Sequence, residues 1–248
     1  MGTSRRSGSC TLAWTCAARS EAANQVLALN LASPWVRWPL WVACAVPAVA
    51  LWWGALNDTL GANPAEALIR GLGEWALRFL CATLAITPLR QALGWVTLAR
   101  WRRGLGLWTF AYATQHLLVY AWLDMGWDAP AVVDDVLQRP FVLVGMATWL
   151  VLLPLALTSW SYAMRTLGAQ NWKRLHRGVY AVAALAVLHF YWMRTGKNNF
   201  GDVYVYGTVL AALLGWRVAW WLRGRRQAAR CPGPSGVQAT CRPCSRRN

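Results

Sequence analysis

The sequence predicts an all-α fold: a polytopic membrane bundle of six transmembrane helices with both termini cytoplasmic. Three observations carry this. Hydrophobic residues make up 57% of the 248 residues and charged ones only 14%, whereas a soluble chain carries about 25% charge. Six apolar stretches recur, each close to the roughly 20 residues that cross a bilayer as a helix. Basic residues sort by the side of those stretches on which they fall. The same composition excludes intrinsic disorder. Seven Cys, an odd number spread over the chain with Cys44 and Cys81 inside apolar runs, argue against a disulfide scaffold.

The stretches lie at roughly 38–56, 72–89, 105–123, 141–159, 178–194 and 203–222. The first, WPLWVACAVPAVALWWGAL, holds Pro47, an expected kink. The second, LGEWALRFLCATLAITPL, carries Glu74 and Arg78 and stops near Pro88. The third contains His116, the fourth Pro154 and the fifth His189. The sixth is VYVYGTVLAALLGWRVAWWL.

Charge sets the orientation. Arg5, Arg6, Arg19 and Arg37 precede the first stretch, and Arg90, Arg100, Arg102 and Arg103 lie in the second connection. Arg165, Lys173, Arg174 and Arg177 lie in the fourth, and seven more Arg follow the sixth stretch. The first, third and fifth connections hold only Arg70, Arg139, Arg194 and Lys197, together with most of the acids. By the positive-inside rule the richly basic side is cytoplasmic. This alternation accounts for the net charge of +16 without invoking nucleic acid. Many of the 19 Trp, among them Trp35, Trp38, Trp53, Trp108, Trp160 and Trp172, fall near stretch ends, where an aromatic belt is expected.

Residues 34–223 therefore form the membrane domain, with a cytoplasmic extension or misassigned start at 1–33 and a basic, disordered cytoplasmic tail at 224–248. SRRSGSC near the start lacks the continuous apolar segment of a signal peptide, since Arg19 and Glu21 interrupt it. In the tail, Cys241-x-x-Cys244 and Cys231 lack a fourth zinc ligand.

The chemistry rests on three His: His116, His176 and His189. An ionisable side chain inside a membrane span is a functional candidate. A lone His would more often just hydrogen-bond to a neighbouring helix. Depth changes that balance. His116 lies 13 residues beyond Arg103, and His189 lies 12 beyond Arg177, on helices that run in the same direction. At about 1.5 Å per residue the two imidazoles reach nearly one plane. Two neutral imidazoles at matched depth on different helices are what axial ligation of a haem iron inside a bundle requires. Attachment would be non-covalent, because no C-x-x-C-H occurs.

Arg78 is expected near the same level, where it could hold a haem propionate; an internal pair with Glu74 is the alternative. His176 sits at the basic edge in KRLHRGVY, 13 residues before His189 and off its face. No second His matches its depth, so a second bis-histidine haem is not supported. A haem role with Met164, or the handling of a proton or quinone, stays open for it.

The segments RRGLGLWTFAYATQHLLVYAW, ITPLRQ, RPFVLVGMATWLVLLPLALTS and WKRLHRGVYAVAALAVLHFYW resemble the MsrQ (YedZ) family. These are haem-binding membrane subunits of the periplasmic protein-methionine-sulfoxide reductase system, within the ferric-reductase-like transmembrane superfamily. The resemblance spans about 38–222 and includes all three His at the family's histidine positions. It implies haem b, with FMN also associated, and location in the bacterial inner membrane. It further implies electron transfer to the periplasmic molybdopterin reductase MsrP, which repairs oxidised envelope proteins. Electrons would come from the quinone pool or a cytoplasmic flavin reductase. No Gly-rich phosphate loop is present for a fused flavin or nicotinamide domain. Sulfoxide reduction itself is expected in the partner.

A stand-alone transmembrane ferric or quinone reductase is the main alternative, and a proton-coupled transporter or assembly factor is the next. Electrons are expected to enter on the basic side near His176, Arg102 and Arg103. They would leave toward the acidic connection bearing Asp124, Asp128, Asp134 and Asp135, where a partner could dock.

Overall fold

The computed structural model describes residues 34–94, 98–195 and 200–230. The expectations for residues 1–33 and for the cysteines of the tail lie outside the described residues. Every expected stretch falls on a helix. These are α1 (Pro34–Leu56), α2 (Pro64–Leu93), α3 (Leu98–Val119), α5 (Pro140–Leu157), α7 (Val179–Thr195) and α8 (Gly201–Arg230). A π-helical turn, Tyr120–Asp124, prolongs α3. Two of the connections contain helices, α4 (Ala129–Gln138) and α6 (Ser161–His176). Helix α8 continues through 224–230, where the tail was expected to begin. Among the described residues there is no strand.

Four of these helices are long and apolar enough to cross a membrane: Trp38–Leu56, Pro64–Leu93, Pro140–Leu157 and Gly201–Arg226. The other two expected spans, α3 and α7, are the ones that carry His116 and His189. Helix α3 opens with Arg100, Arg102 and Arg103, which dilute its hydropathy, and α7 has 17 residues.

Helix α2 organises the bundle. Asn63 caps its start by accepting a hydrogen bond from the Glu66 amide at 3.1 Å, with Pro64 in the first turn. Gly94 ends it at φ 70°, a left-handed conformation that suits glycine. One face of α2 presents Leu68, Leu72 and Phe79 to Cys44 and Ala48 of α1 and to Tyr112 and Val119 of α3. Another face presents Leu77, Leu80 and Leu84 to Leu152 of α5, Val182 and Ala183 of α7 and Leu210 of α8. The α2–α3 and α5–α7 pairs pack most extensively, and α3 joins them by packing on α5.

At two prolines inside helices, side chains from other helices complete the hydrogen bonding. In an unbroken helix the Ala48 amide would bond the Cys44 carbonyl. Beside Pro47, the Tyr112 hydroxyl inserts between them, accepting from Ala48 N at 2.9 Å and donating to Cys44 O at 2.8 Å. The Leu84 carbonyl would bond residue 88, but Pro88 has no N–H. Arg217 of α8 donates to it at 3.0 Å, and to Thr87 Oγ1 at 2.8 Å.

Large apolar side chains line the exterior, including Trp35, Trp53, Leu137, Tyr162 and Trp221. A surface of that kind suits lipid rather than water. Trp108, expected in a boundary belt, instead packs among Trp41, Phe79 and Tyr112.

Candidate functional site

Helices α3 and α7 bring His116 and His189 opposite one another in a cavity of about 470 Å³. Their ring centres are 6.2 Å apart and their planes cross at 78°. An imidazole nitrogen lies about 1.1 Å from its ring centre and binds a first-row transition metal at about 2.0 Å. Two rings on opposite sides of one ion therefore have centres about 6 Å apart. The spacing fits one metal ion between them.

Their hydrogen bonds agree with that. Nδ1 of His116 lies 2.8 Å from the Ile69 carbonyl on α2, and Nδ1 of His189 lies 2.7 Å from the Phe141 carbonyl on α5. A carbonyl can only accept, so in both rings Nδ1 carries the proton and donates. Each neutral ring then keeps its lone pair on Nε2, the tautomer a metal ligand needs, with the ring orientation fixed by an outer partner.

Both rings lie against a glycine one turn beyond the accepting carbonyl. A Cβ on Gly73 would stand 3.1 Å from Nδ1 of His116, and one on Gly145 would stand 2.8 Å from Cε1 of His189. The sequence reading missed these glycines. The signal available was a glycine inside each of two apolar helices, four residues after Ile69 and Phe141.

The acid-rich end of the same cavity is lined by Arg70, Arg139 and Arg194, with Glu66, Glu74 and Asp124. Arg70 pairs with Glu66 at 2.6 Å, and Arg139 with Asp135 at 2.9 Å. Arg194 bridges Glu74 at 2.8 Å and Asp202 at 3.2 Å, tying α7 to α2 and α8. Nε of Arg70 is buried without a hydrogen-bond partner. These arginines were also missed as site residues, although they are three of the four cations on the acidic side.

Arg78 is not among the residues lining this cavity. It donates from Nε to the Tyr206 hydroxyl at 2.9 Å, meets Glu74 at 3.4 Å and lies over the Trp75 ring. The Glu74 pair anticipated as its alternative is therefore present, and through Glu74 it is one step from Arg194.

His176 is not brought to the other two. It ends α6, stacks on Trp172 with ring centres 3.9 Å apart, and directs Nδ1 to the Trp172 carbonyl at 3.1 Å. Burial first, and the charge of Arg102 beside it, hold its imidazole below the ordinary value. It lines a second cavity of about 380 Å³ at the basic end, together with Met164, Arg102, Arg103 and Arg217. Leu80, Thr109 and Leu152 line both cavities, so one layer of side chains separates the two. Among the described residues no group of three or more His, Cys, Asp or Glu converges as a metal site. That leaves the His116–His189 pair, a two-nitrogen donor set that suits a metal whose other ligands come from a macrocycle.

Residues 72–187 match the ferric reductase like transmembrane component, and with four helices long and apolar enough to cross a bilayer this is a membrane protein. Several relatives named protein-methionine-sulfoxide reductase heme-binding subunit MsrQ align over most of its length. The one from Polaromonas naphthalenivorans is 48% identical over 192 residues, covering 77% of this chain and 87% of that one. Those from Azospira oryzae (50% identical, 72% and 76% covered) and Bordetella pertussis (49% identical, 77% and 92% covered) agree. The chain belongs to the MsrQ family. No solved structure matches it.

Proposed function

We propose that the chain is a membrane electron-transfer subunit that binds haem b through His116 and His189 and serves a methionine sulfoxide reductase. The observation that carries this reading is the pair of facing imidazoles, each with Nδ1 bound to a backbone carbonyl and Nε2 left for iron. Haem bound there supplies a one-electron carrier. Arg70, Arg139 and Arg194 would hold its propionates, as guanidinium groups hold carboxylates. Arg78 would act behind them, through the Glu74 carboxylate it shares with Arg194.

The names of the relatives and the distribution of charge support the wider reading. All six long helices would span the bacterial inner membrane, with both termini cytoplasmic, residues 34–223 as the membrane domain and a basic tail beyond them. Electrons would enter at the basic cavity, from a quinone or a cytoplasmic flavin reductase. The shared wall of Leu80, Thr109 and Leu152 would place the His116–His189 pair one step further on. They would leave to the periplasmic molybdopterin reductase MsrP, where the sulfoxide is reduced.

The test is the reduced-minus-oxidised absorption spectrum of the purified protein. The wild type should show one low-spin b-type haem, and His116→Ala and His189→Ala should each abolish that signal. Wild-type spectra in both variants would exclude the assignment. Periplasmic activity of a reporter fused after Asn248 would overturn the topology.

A further inference from the structure

Each imidazole of the histidine cavity is held at two points, on two different helices. His116 is attached to α3 and donates from Nδ1 to the Ile69 carbonyl of α2 at 2.8 Å. His189 is attached to α7 and donates from Nδ1 to the Phe141 carbonyl of α5 at 2.7 Å. The Nδ1–H bond and Cβ both lie in the plane of an imidazole, so these two points set the plane of each ring. The plane of His116 runs from α3 to α2, and that of His189 runs from α7 to α5. Those helix pairs are the two that pack most extensively. The angle between the rings is therefore inherited from the way one pair crosses the other.

That angle is 78°, with ring centres 6.2 Å apart. The neighbouring backbones resist its relaxation. A Cβ on Gly145 would fall 2.8 Å from Cε1 and 3.4 Å from Nε2 of His189, so α5 lies along that ring. A Cβ on Gly73 would fall 3.1 Å from Nδ1 and 3.2 Å from Cε1 of His116, so α2 lies along the other.

An axial imidazole donates π density into the one iron d orbital that stands perpendicular to its ring. Two parallel rings load the same orbital and split it from its partner. Two crossed rings load one orbital each and leave the pair close in energy. A ferric ion keeps its unpaired electron in that pair, so crossed rings deny it the stabilisation that splitting gives. The hydrogen bonds act in the opposite sense, because donation from Nδ1 makes a ring more basic and favours the ferric state. Axial ligands and their outer hydrogen bonds are both means by which a protein sets a haem potential.

We infer, on the assignment of this pair as the ligands of one haem, that the main-chain carbonyls of Ile69 and Phe141 are positioning groups that hold the two imidazole planes near perpendicular. The crossing offsets the ferric bias that the same two hydrogen bonds introduce. The site thus gains rigid ligand orientation while its potential stays higher than parallel rings would give.

The test is the electron paramagnetic resonance spectrum of the oxidised full-length protein, recorded beside its absorption spectrum. Crossed rings give a highly anisotropic low-spin signal with one large, isolated g value. Parallel rings give a rhombic signal with three resolved g values. The anisotropic signal is expected, and a rhombic signal from the wild type would overturn the crossing. The part played by the carbonyls is read in His189→Gly, where the vacated space is filled with 4-methylimidazole or with 1-methylimidazole. The two match in size and both bind iron through an unsubstituted nitrogen, but only the first keeps an N–H for the Phe141 carbonyl. The first should restore the wild-type g value, and the second should give a low-spin signal whose largest g value is clearly smaller. Equal largest g values with the two ligands would remove the positioning role. The wild-type spectrum decides the crossing whether or not the variant folds. Failure of the haem reading is distinct, since it shows as the absence of a low-spin absorption spectrum.

Discussion

Gly145 of α5 leaves the space that His189 of α7 occupies: a Cβ there would fall 2.8 Å from Cε1 and 2.9 Å from Nδ1 of the imidazole. Gly73 of α2 does the same for His116 of α3, less tightly, at 3.1 Å. In both places the carbonyl that receives Nδ1–H belongs to the residue four before the glycine. The two halves of the site are thus built alike, each ring laid against the backbone of a neighbouring helix. Close approach of that kind is what glycine permits in a membrane bundle.

Gly145→Ala should therefore displace His189, because the clash is with a ring tied to a backbone carbonyl rather than with the end of a flexible chain. The expected outcome is loss of most of the low-spin absorption, with the protein still inserted and helical by circular dichroism. Gly73→Ala should cost less, lowering haem retention severalfold. Haem-to-protein ratios after purification measure both, and equal, full occupancy in the two variants would disprove the packing argument.

Tyr112→Phe removes the hydroxyl that completes α1 beside Pro47. It leaves the Ala48 amide and the Cys44 carbonyl without their partner in a buried setting. An orphaned buried group costs about 1–3 kcal/mol. The variant should unfold at a lower temperature in detergent while its haem spectrum stays unchanged, since Tyr112 does not line the histidine cavity. An unchanged melting temperature would show that α1 closes the gap by itself.

Arg217→Met should destabilise by a comparable amount, about 1–3 kcal/mol, through the Leu84 carbonyl that Pro88 cannot satisfy. Restoring the missing amide in the double variant Pro88→Ala/Arg217→Met should recover part of the loss. Thermal unfolding of the two proteins side by side gives the answer. No recovery would mean that Arg217 stabilises through Tyr180 and Thr87 rather than through the Leu84 carbonyl.

The acidic connection divides into two kinds of residue. Asp135 is almost buried, accepts from the Tyr120 hydroxyl at 2.6 Å and pairs with Arg139. Asp128 caps α4 by accepting from the Ala131 amide at 3.4 Å. Asp134 is exposed. If a partner docks here by complementary charge, Asp134→Asn should slow reoxidation of the haem by that partner a few-fold, mainly at low salt, with stability unchanged. Asp135→Asn should instead lower thermal stability. Stopped-flow reoxidation at two salt concentrations, with melting curves, separates them, and salt-independent rates for Asp134→Asn would remove this docking role.

The helices, their order and the split of charge between their ends could be read from the chain alone, because apolar length and the side on which arginines fall are properties of sequence. The matched depth of His116 and His189 could be read in the same way, since each is a count of residues from a basic boundary. Rotation about the helix axis was not available from such counts. It decides that Arg78 meets Glu74 and Tyr206 instead of lining the cavity, and that Arg70, Arg139 and Arg194 do line it. Partners distant in sequence were equally hidden. Ile69 and His116 lie 47 residues apart, and Phe141 and His189 lie 48 apart. Single-residue patterns report burial and length, whereas a hydrogen bond between helices depends on crossing angle and register. Those are settled only when α2 packs on α3 and α5 on α7, and with them the tautomer of each histidine and the nitrogen it leaves for a metal.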